Sequence, residues 1–133
     1  SKSGTLIAFG DYRRSDNIVA YEPTAGKQQK MLSPGLRPSG DQYVPMAFHA
    51  GLGHTVAIID RVPNGGAGAR DPTRSETWLY DYTGDAWTHI ESADLPFSVG
   101  MNYNLEYDPG HQLLLLVATP PGDVLPAVWA LRL

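Results

Sequence analysis

Short runs of apolar, β-branched and aromatic residues recur along the whole chain, each ended by a polar or Gly/Pro-rich turn. None keeps the i, i+3, i+4 spacing of an amphipathic helix for any length, so the pattern predicts strands. They fall at Thr5–Gly10, Asn17–Tyr21, Lys27–Leu32, Met46–Phe48, His54–Asp60, Glu76–Tyr80, Trp87–Glu91, Asn102–Tyr107, Gln112–Ala118 and Ala127–Leu131. Trp78 and Tyr80 alternate with Thr77 and Leu79, as in a strand with two distinct faces. Leu113–Ala118 is apolar throughout, which predicts burial on both faces. Its Asp-Pro-Gly and Pro-Pro-Gly flanks favour a strand over a buried helical turn.

The strands repeat. Tyr21–Gln29 (YEPTAGKQQ) matches Tyr80–Thr88 (YDYTGDAWT) at a separation of 59 residues. Met46–Ile59 matches Asn104–Leu116, with Phe48 over Tyr107, a turn shortened by two residues, and His111 in the place of His54. Ala127–Leu131 repeats Glu76–Tyr80, placing Trp129 over Trp78. The unit is four strands, a to d, and the chain runs b-c-d, a-b-c-d, a-b-c. A four-stranded unit recurring at this length predicts β-propeller blades, about two and a half of them. The fold expected is therefore all-β: four-stranded antiparallel blades of a partial β-propeller occupying residues 1–133. Residues 1–32 would supply b-c-d of one blade, 46–91 a complete blade, and 102–133 a-b-c of a third.

In this frame the stretch from Trp78 to Trp87 has a structural purpose at each position. Asp81 is placed to accept backbone N–H groups across the turn, Gly84 to take a positive φ, and the two Trp rings to fill space between blades. Trp78-x-Tyr80-Asp81, then Thr83-Gly84, then Trp87, together with Tyr107-Asp108-Pro109-x-His111, resembles kelch-type repeats of galactose-oxidase-like propellers. Two positions depart from that pattern. The Gly-Gly doublet that closes strand b is a single Gly10 in one unit and Asp60-Arg61 or Thr119-Pro120 in the others, and Gln28 stands where Trp87 stands. The resemblance implies a ring, which ten strands do not close. A second copy of the chain or another propeller fragment is the expected partner, and the chain reads as the C-terminal piece of a larger propeller. It also implies an extracellular or periplasmic setting.

Composition removes several function classes. A net charge of −4 gives no basic field for nucleic acid or an anionic membrane, and the longest apolar run is far too short to cross a bilayer. Without Cys there is no disulfide, thiolate metal site or thiol nucleophile, and the copper-radical centre of some proteins with this fold would lack its Cys–Tyr cross-link. The chain begins Ser-Lys-Ser-Gly, without an initiator Met or a signal-like segment, as a processed or excised product would. No Gly-x-Ser-x-Gly elbow occurs. The Asn-Gly-Gly-Ala-Gly run lacks the Gly-Lys-Ser/Thr ending of a phosphate loop. His49, His54, His89 and His111 have no zinc-site spacing, so neither a metal nor a cofactor is expected.

The a–b and c–d turns are short, whereas Asp11–Asp16, Ser33–Val44, Arg61–Ser75, Ser92–Gly100 and Thr119–Pro126 are long and share one face. Six of the seven Arg residues lie on or beside that face. Arg13, Arg14, Arg61 and Arg70, with Tyr12 and Tyr43 as stacking platforms, form the candidate ligand site, suited to a carboxylate or an anionic sugar. The plainer alternative is a solvated rim in which these Arg residues pair with nearby Asp residues. The function expected is a non-catalytic interaction or ligand-binding scaffold, with a protein or a carbohydrate as ligand. The alternative is the propeller portion of an extracellular carbohydrate-active enzyme with its catalytic residues outside this chain.

Overall fold

A computed structural model describes residues 4–10, 16–41, 43–61 and 74–133. Each of the ten expected segments forms a strand: β1 (Leu6–Phe9), β2 (Ile18–Glu22), β3 (Lys27–Met31), β4 (Met46–His49), β5 (His54–Asp60), β6 (Ser75–Asp81), β7 (Ala86–His89), β8 (Tyr103–Asp108), β9 (Leu113–Ala118) and β10 (Ala127–Leu131). A single 3₁₀ turn, Glu91–Ala93, is the one helical element among the described residues. The strands make three antiparallel sheets in sequence order: β1-β2-β3, β4-β5-β6-β7 and β8-β9-β10. Every pairing is between chain neighbours, and no sheet closes on itself.

The middle sheet lies between the other two, and β5 explains why. Its residues Val56 to Asp60 are all buried. Successive side chains of a strand point to opposite faces. Ala57 and Ile59 accordingly enter one core with Phe9, Ile18, Trp78, Tyr80 and Trp87, which joins the first sheet to the middle one. Val56 and Ile58 enter a second core with Leu105, Leu114, Leu116 and Leu131, which joins the middle sheet to the third. The middle and third sheets come closest at their leading strands, β4 lying beside β8 and β9.

The aromatic residues of the Trp78–Trp87 stretch fill the first of these cores. The Trp87 ring lies 5.1 Å from Phe9, 4.9 Å from Tyr80 and 6.5 Å edge-on from Trp78. In the second core Trp129 packs on Phe97 at 4.8 Å, and His49 packs on Tyr107 at 4.4 Å.

Three local expectations are corrected. Strand β9 is buried on one face only: Leu114, Leu116 and Ala118 are covered, while Leu115 is 37% exposed. Its second face needs a further layer, and the described residues supply none. In the β6–β7 turn the left-handed residue is Asp85 (φ 49°), not Gly84. At Gly84 a Cβ would sit 2.8 Å from Asp81 Oδ2, the far end of a side chain that has to shift to admit it. Asp81 does accept the Thr83 N–H, at 2.9 Å. Finally, the β4–β5 and β8–β9 turns are equally long. His49 faces His54 and Asp108 faces Leu113, with left-handed Gly53 and Gln112 closing the respective turns. The repeat therefore runs without a gap, and Leu113 rather than His111 is the counterpart of His54.

Candidate functional site

Register fixes which connections share an end. Met46 pairs with Ala57, Asp60 with Ser75 and Trp78 with His89, so the segments entering β4, joining β5 to β6 and leaving β7 emerge together. Of the expected site residues, Tyr43 is half-buried just before β4, and Arg61 is exposed just after β5. The Arg61 N–H donates to the Arg74 carbonyl at 3.2 Å. Tyr12, Arg13, Arg14 and Arg70 lie outside the described residues. Two other Arg residues of the rim are engaged: Arg37 pairs with Asp16 at 2.8 Å and Arg74 with Asp94 at 2.7 Å.

What organises this end is a pair of aspartates. Asp60, the last residue of β5, is 1% exposed. Its Oδ1 accepts the Ser75 hydroxyl (2.9 Å) and the Val99 N–H (2.7 Å). Its Oδ2 accepts the Ser98 hydroxyl (2.7 Å) and the Gly100 N–H (2.9 Å). These donors, with the single Ser75 proton shared between Asp60 and the Phe97 carbonyl, compensate the burial of the charge, and the carboxylate in turn holds residues 98–100 against β5. Ser75 completes the arrangement with a paired bridge to Leu95 and a hydroxyl bond to the Phe97 carbonyl at 2.6 Å.

Asp94 is the second hub. It accepts from Arg74, from the Thr77 N–H at 2.9 Å and from His89 Nε2 at 3.0 Å. Burial opposes its charge, but the bonds from Arg74, Thr77 and His89 outweigh that and hold the carboxyl below its ordinary range. Asp94 in turn raises the Arg74 guanidinium further above its usual value. His89 stacks on Trp78 at 4.8 Å and 20°, and Trp78 Nε1 donates to Glu76. Thr77 gives its hydroxyl proton to the Ala93 carbonyl at 2.6 Å. The cluster holds the 3₁₀ turn and the exit of β7 in place.

Asp85, in the β6–β7 turn, joins two sheets. It accepts the Leu32 and Ser33 N–H groups (3.0 and 2.8 Å), the Ser33 hydroxyl (2.7 Å) and the Tyr80 hydroxyl (2.8 Å). Burial pushes the carboxyl upward, but the bonds from Ser33, Tyr80 and Leu32 prevail and keep it below the normal range. Burial, reinforced by Asp85, moves the Tyr80 phenol well above its own. None of these three aspartates was among the expected site residues. Their partners lie between 5 and 53 residues away, so no local spacing announces them.

Two grooves are formed, the smaller of them bordered by Asp94. A groove of about 770 Å³ runs between β1 and β4 and is lined by Leu6, Ile7, Met46, Phe48, Thr55 and Tyr82 among others. A second, of about 460 Å³, lies between Leu79 and Ile90 of the middle sheet and the Ala130–Leu133 end of the third. No trio of His, Asp or Glu among the described residues is arranged to hold a metal ion. Fold and site thus define an all-β protein of three stacked antiparallel sheets with aspartate-stapled connections. Comparison with protein-family models, curated proteins and solved structures gives no match.

Proposed function

We propose that the chain is a non-catalytic scaffold of the kelch-like β-propeller type, whose two outer sheet faces dock further sheets of the same kind. The observation that carries this reading is the split of β5 between two cores, with β4 and β8 side by side: the sheets stack as successive repeats. The outer faces continue the series. On the third sheet Leu115, Val117 and Val128 share the open face. Leu115 and Val117 stand 59 residues after Val56 and Ile58, the residues with which the middle sheet receives the third. On the first sheet Leu6, Val19 and Tyr21 share the open face. Val19 and Tyr21 stand 59 residues before Trp78 and Tyr80, with which the middle sheet receives the first. One outer face is thus of the receiving kind and the other of the received kind, so copies stack head to tail. The sheets present themselves as an interaction surface, with a second copy or another propeller segment as partner.

The chain has no Cys, which makes cross-linking clean. One preparation carries Tyr21→Cys, another Leu115→Cys, and a short bismaleimide spans the roughly 10 Å between packed sheets. Mixed 21–115 dimers well above 21–21 and 115–115 products are expected. Equal yields of all three, or none, would overturn the reading.

A further inference from the structure

The histidines differ in what stands beside them. His89 and His111 each sit against an aspartate, at 3.0 and 2.6 Å. His49 has no carboxylate beside it among the described residues and is only 3% exposed. It ends β4 at the position that Asp108 holds at the end of β8, since His49 faces His54 and Asp108 faces Leu113. In both turns this side chain accepts backbone N–H groups. Asp108 Oδ1 takes those of Gly110 (2.8 Å) and His111 (3.2 Å). His49 Nδ1 takes that of Leu52 at 3.2 Å. An imidazole nitrogen that accepts carries no proton, so the neutral ring bears its proton on Nε2, which is buried without a partner among the described residues. The ring is closed in by Tyr107 of β8, 4.4 Å away, and by its own turn. A Cβ on Gly51 would stand 3.3 Å from His49 Cε1 and 3.3 Å from the Tyr107 hydroxyl.

The groups that face this ring supply no counter-charge. Across from it on β5 stands His54, whose Nδ1 is likewise buried without a partner among the described residues. From β8 comes Tyr107, while Glu106 and Asp108 alternate with it and face away. The inward residues of β9 are Leu114, Leu116 and Ala118. Asp81 of β6 lies one pair beyond Thr55↔Tyr80 and so flanks His54, about 10 Å or two strand spacings from His49. Its Oδ1 accepts the Thr83 N–H. Arg132, which borders a groove with Leu52, is a cation.

We propose that His49 is an acid-released latch between the middle and third sheets: neutral, it closes the β4–β5 turn beneath Tyr107, and protonated, it lets go of Leu52 and β4 parts from β8. An imidazolium has two donors and no acceptor, so it loses the Leu52 bond, and a buried charge without a partner is costly. The proton therefore enters as the turn lifts. The equivalent turn of the third sheet is not acid-released in this way, because the hydrogen bond from His111 holds the Asp108 carboxyl below its ordinary range and keeps its oxygen an acceptor in mild acid.

The test uses the full chain. Nitrogen-15 ring spectra at about pH 7.5 should show His49 as the Nε2–H tautomer. As the pH is lowered to about 5.5, the Leu52 and Tyr107 signals should move or fade together with the His49 ring. Urea unfolding is then compared at the same two pH values for the parent chain and His49→Asn, whose amide oxygen accepts from Leu52 at both. A proton that the unfolded chain takes up and the fold excludes raises the unfolding constant by up to about tenfold per pH unit, so this stability is present at neutral pH and lost as pH falls. The unfolding constant of the parent should rise about tenfold more than that of the variant over the interval. His54, His89 and His111 are common to both and cancel. An Nδ1–H tautomer at neutral pH, a His49 ring that titrates while Leu52 and Tyr107 stay unmoved, or an equal rise in parent and variant would each overturn the proposal.

Discussion

Asp60 is the residue on which the long-connection end depends most. Asp60→Ala leaves the Ser98 hydroxyl and the Val99 and Gly100 N–H groups without their acceptor, while the Ser75 hydroxyl keeps the Phe97 carbonyl, at a cost of about 3–5 kcal/mol for breaking a buried charged network. Urea unfolding should show a much lower midpoint with little change in slope. Asp85 and Asp94 make a pH prediction whose sign follows from their lowered carboxyl values. A carboxylate held below its unfolded value near 3.9 adds stability that is complete above that value and is lost as pH falls through the folded one. Thermal midpoints should therefore drop steeply below about pH 4, and Asp85→Asn with Asp94→Asn should start lower at pH 7 but fall less with acid. Gly10 is a third sensitive point. It has φ +76°, and a Cβ there would lie 2.0 Å from the Asp41 carbonyl oxygen, so Gly10→Ala should cost about 2 kcal/mol or more in the same unfolding experiment. Gly10 was legible as the glycine that closes its strand, but the roles of the aspartates were not. A strand-ending Asp looks like any polar punctuation until the fold brings Ser98, Val99 and Gly100 to it from about 40 positions away.

Strands were the legible level, because apolar alternation and turn residues act over a few positions and survive whatever the tertiary context is. The 59-residue repeat was legible for the same reason: Gly26 and Asp85 occupy one turn position and both adopt positive φ. Burial of β9 was misjudged because composition records that a strand is apolar, not that a neighbour exists to cover it. Turn chemistry gives a paired prediction. Gly84→Ala meets only the mobile end of the Asp81 side chain at an ordinary φ and should cost no more than about 1 kcal/mol. Gly26→Ala has open space but φ +61° and should cost about 1 kcal/mol from backbone strain alone. Asp85→Gly should be worse than either, since relief at φ 49° is small beside the loss of four hydrogen bonds.

Across the whole molecule, the two inner interfaces bury apolar side chains, aromatic in the first and largely aliphatic in the second, while the two outer faces keep Leu6 at 60% and Val128 at 67% exposure. Apolar faces so placed gain by association. The first outer face is the weaker half, since Gln28 stands where the middle sheet has Trp87, so stacking should be concentration-dependent rather than permanent. The most direct measurement is the solution mass of the 14.5 kDa chain by light scattering over a range of concentrations, beside Leu115→Glu and Val128→Glu. Stacking of outer faces gives a mass that rises to a discrete multiple of 14.5 kDa for the parent chain and stays at the monomer value for both variants. A parent chain that remains monomeric at the highest concentration, or variants that associate as the parent does, would contradict docking through these faces.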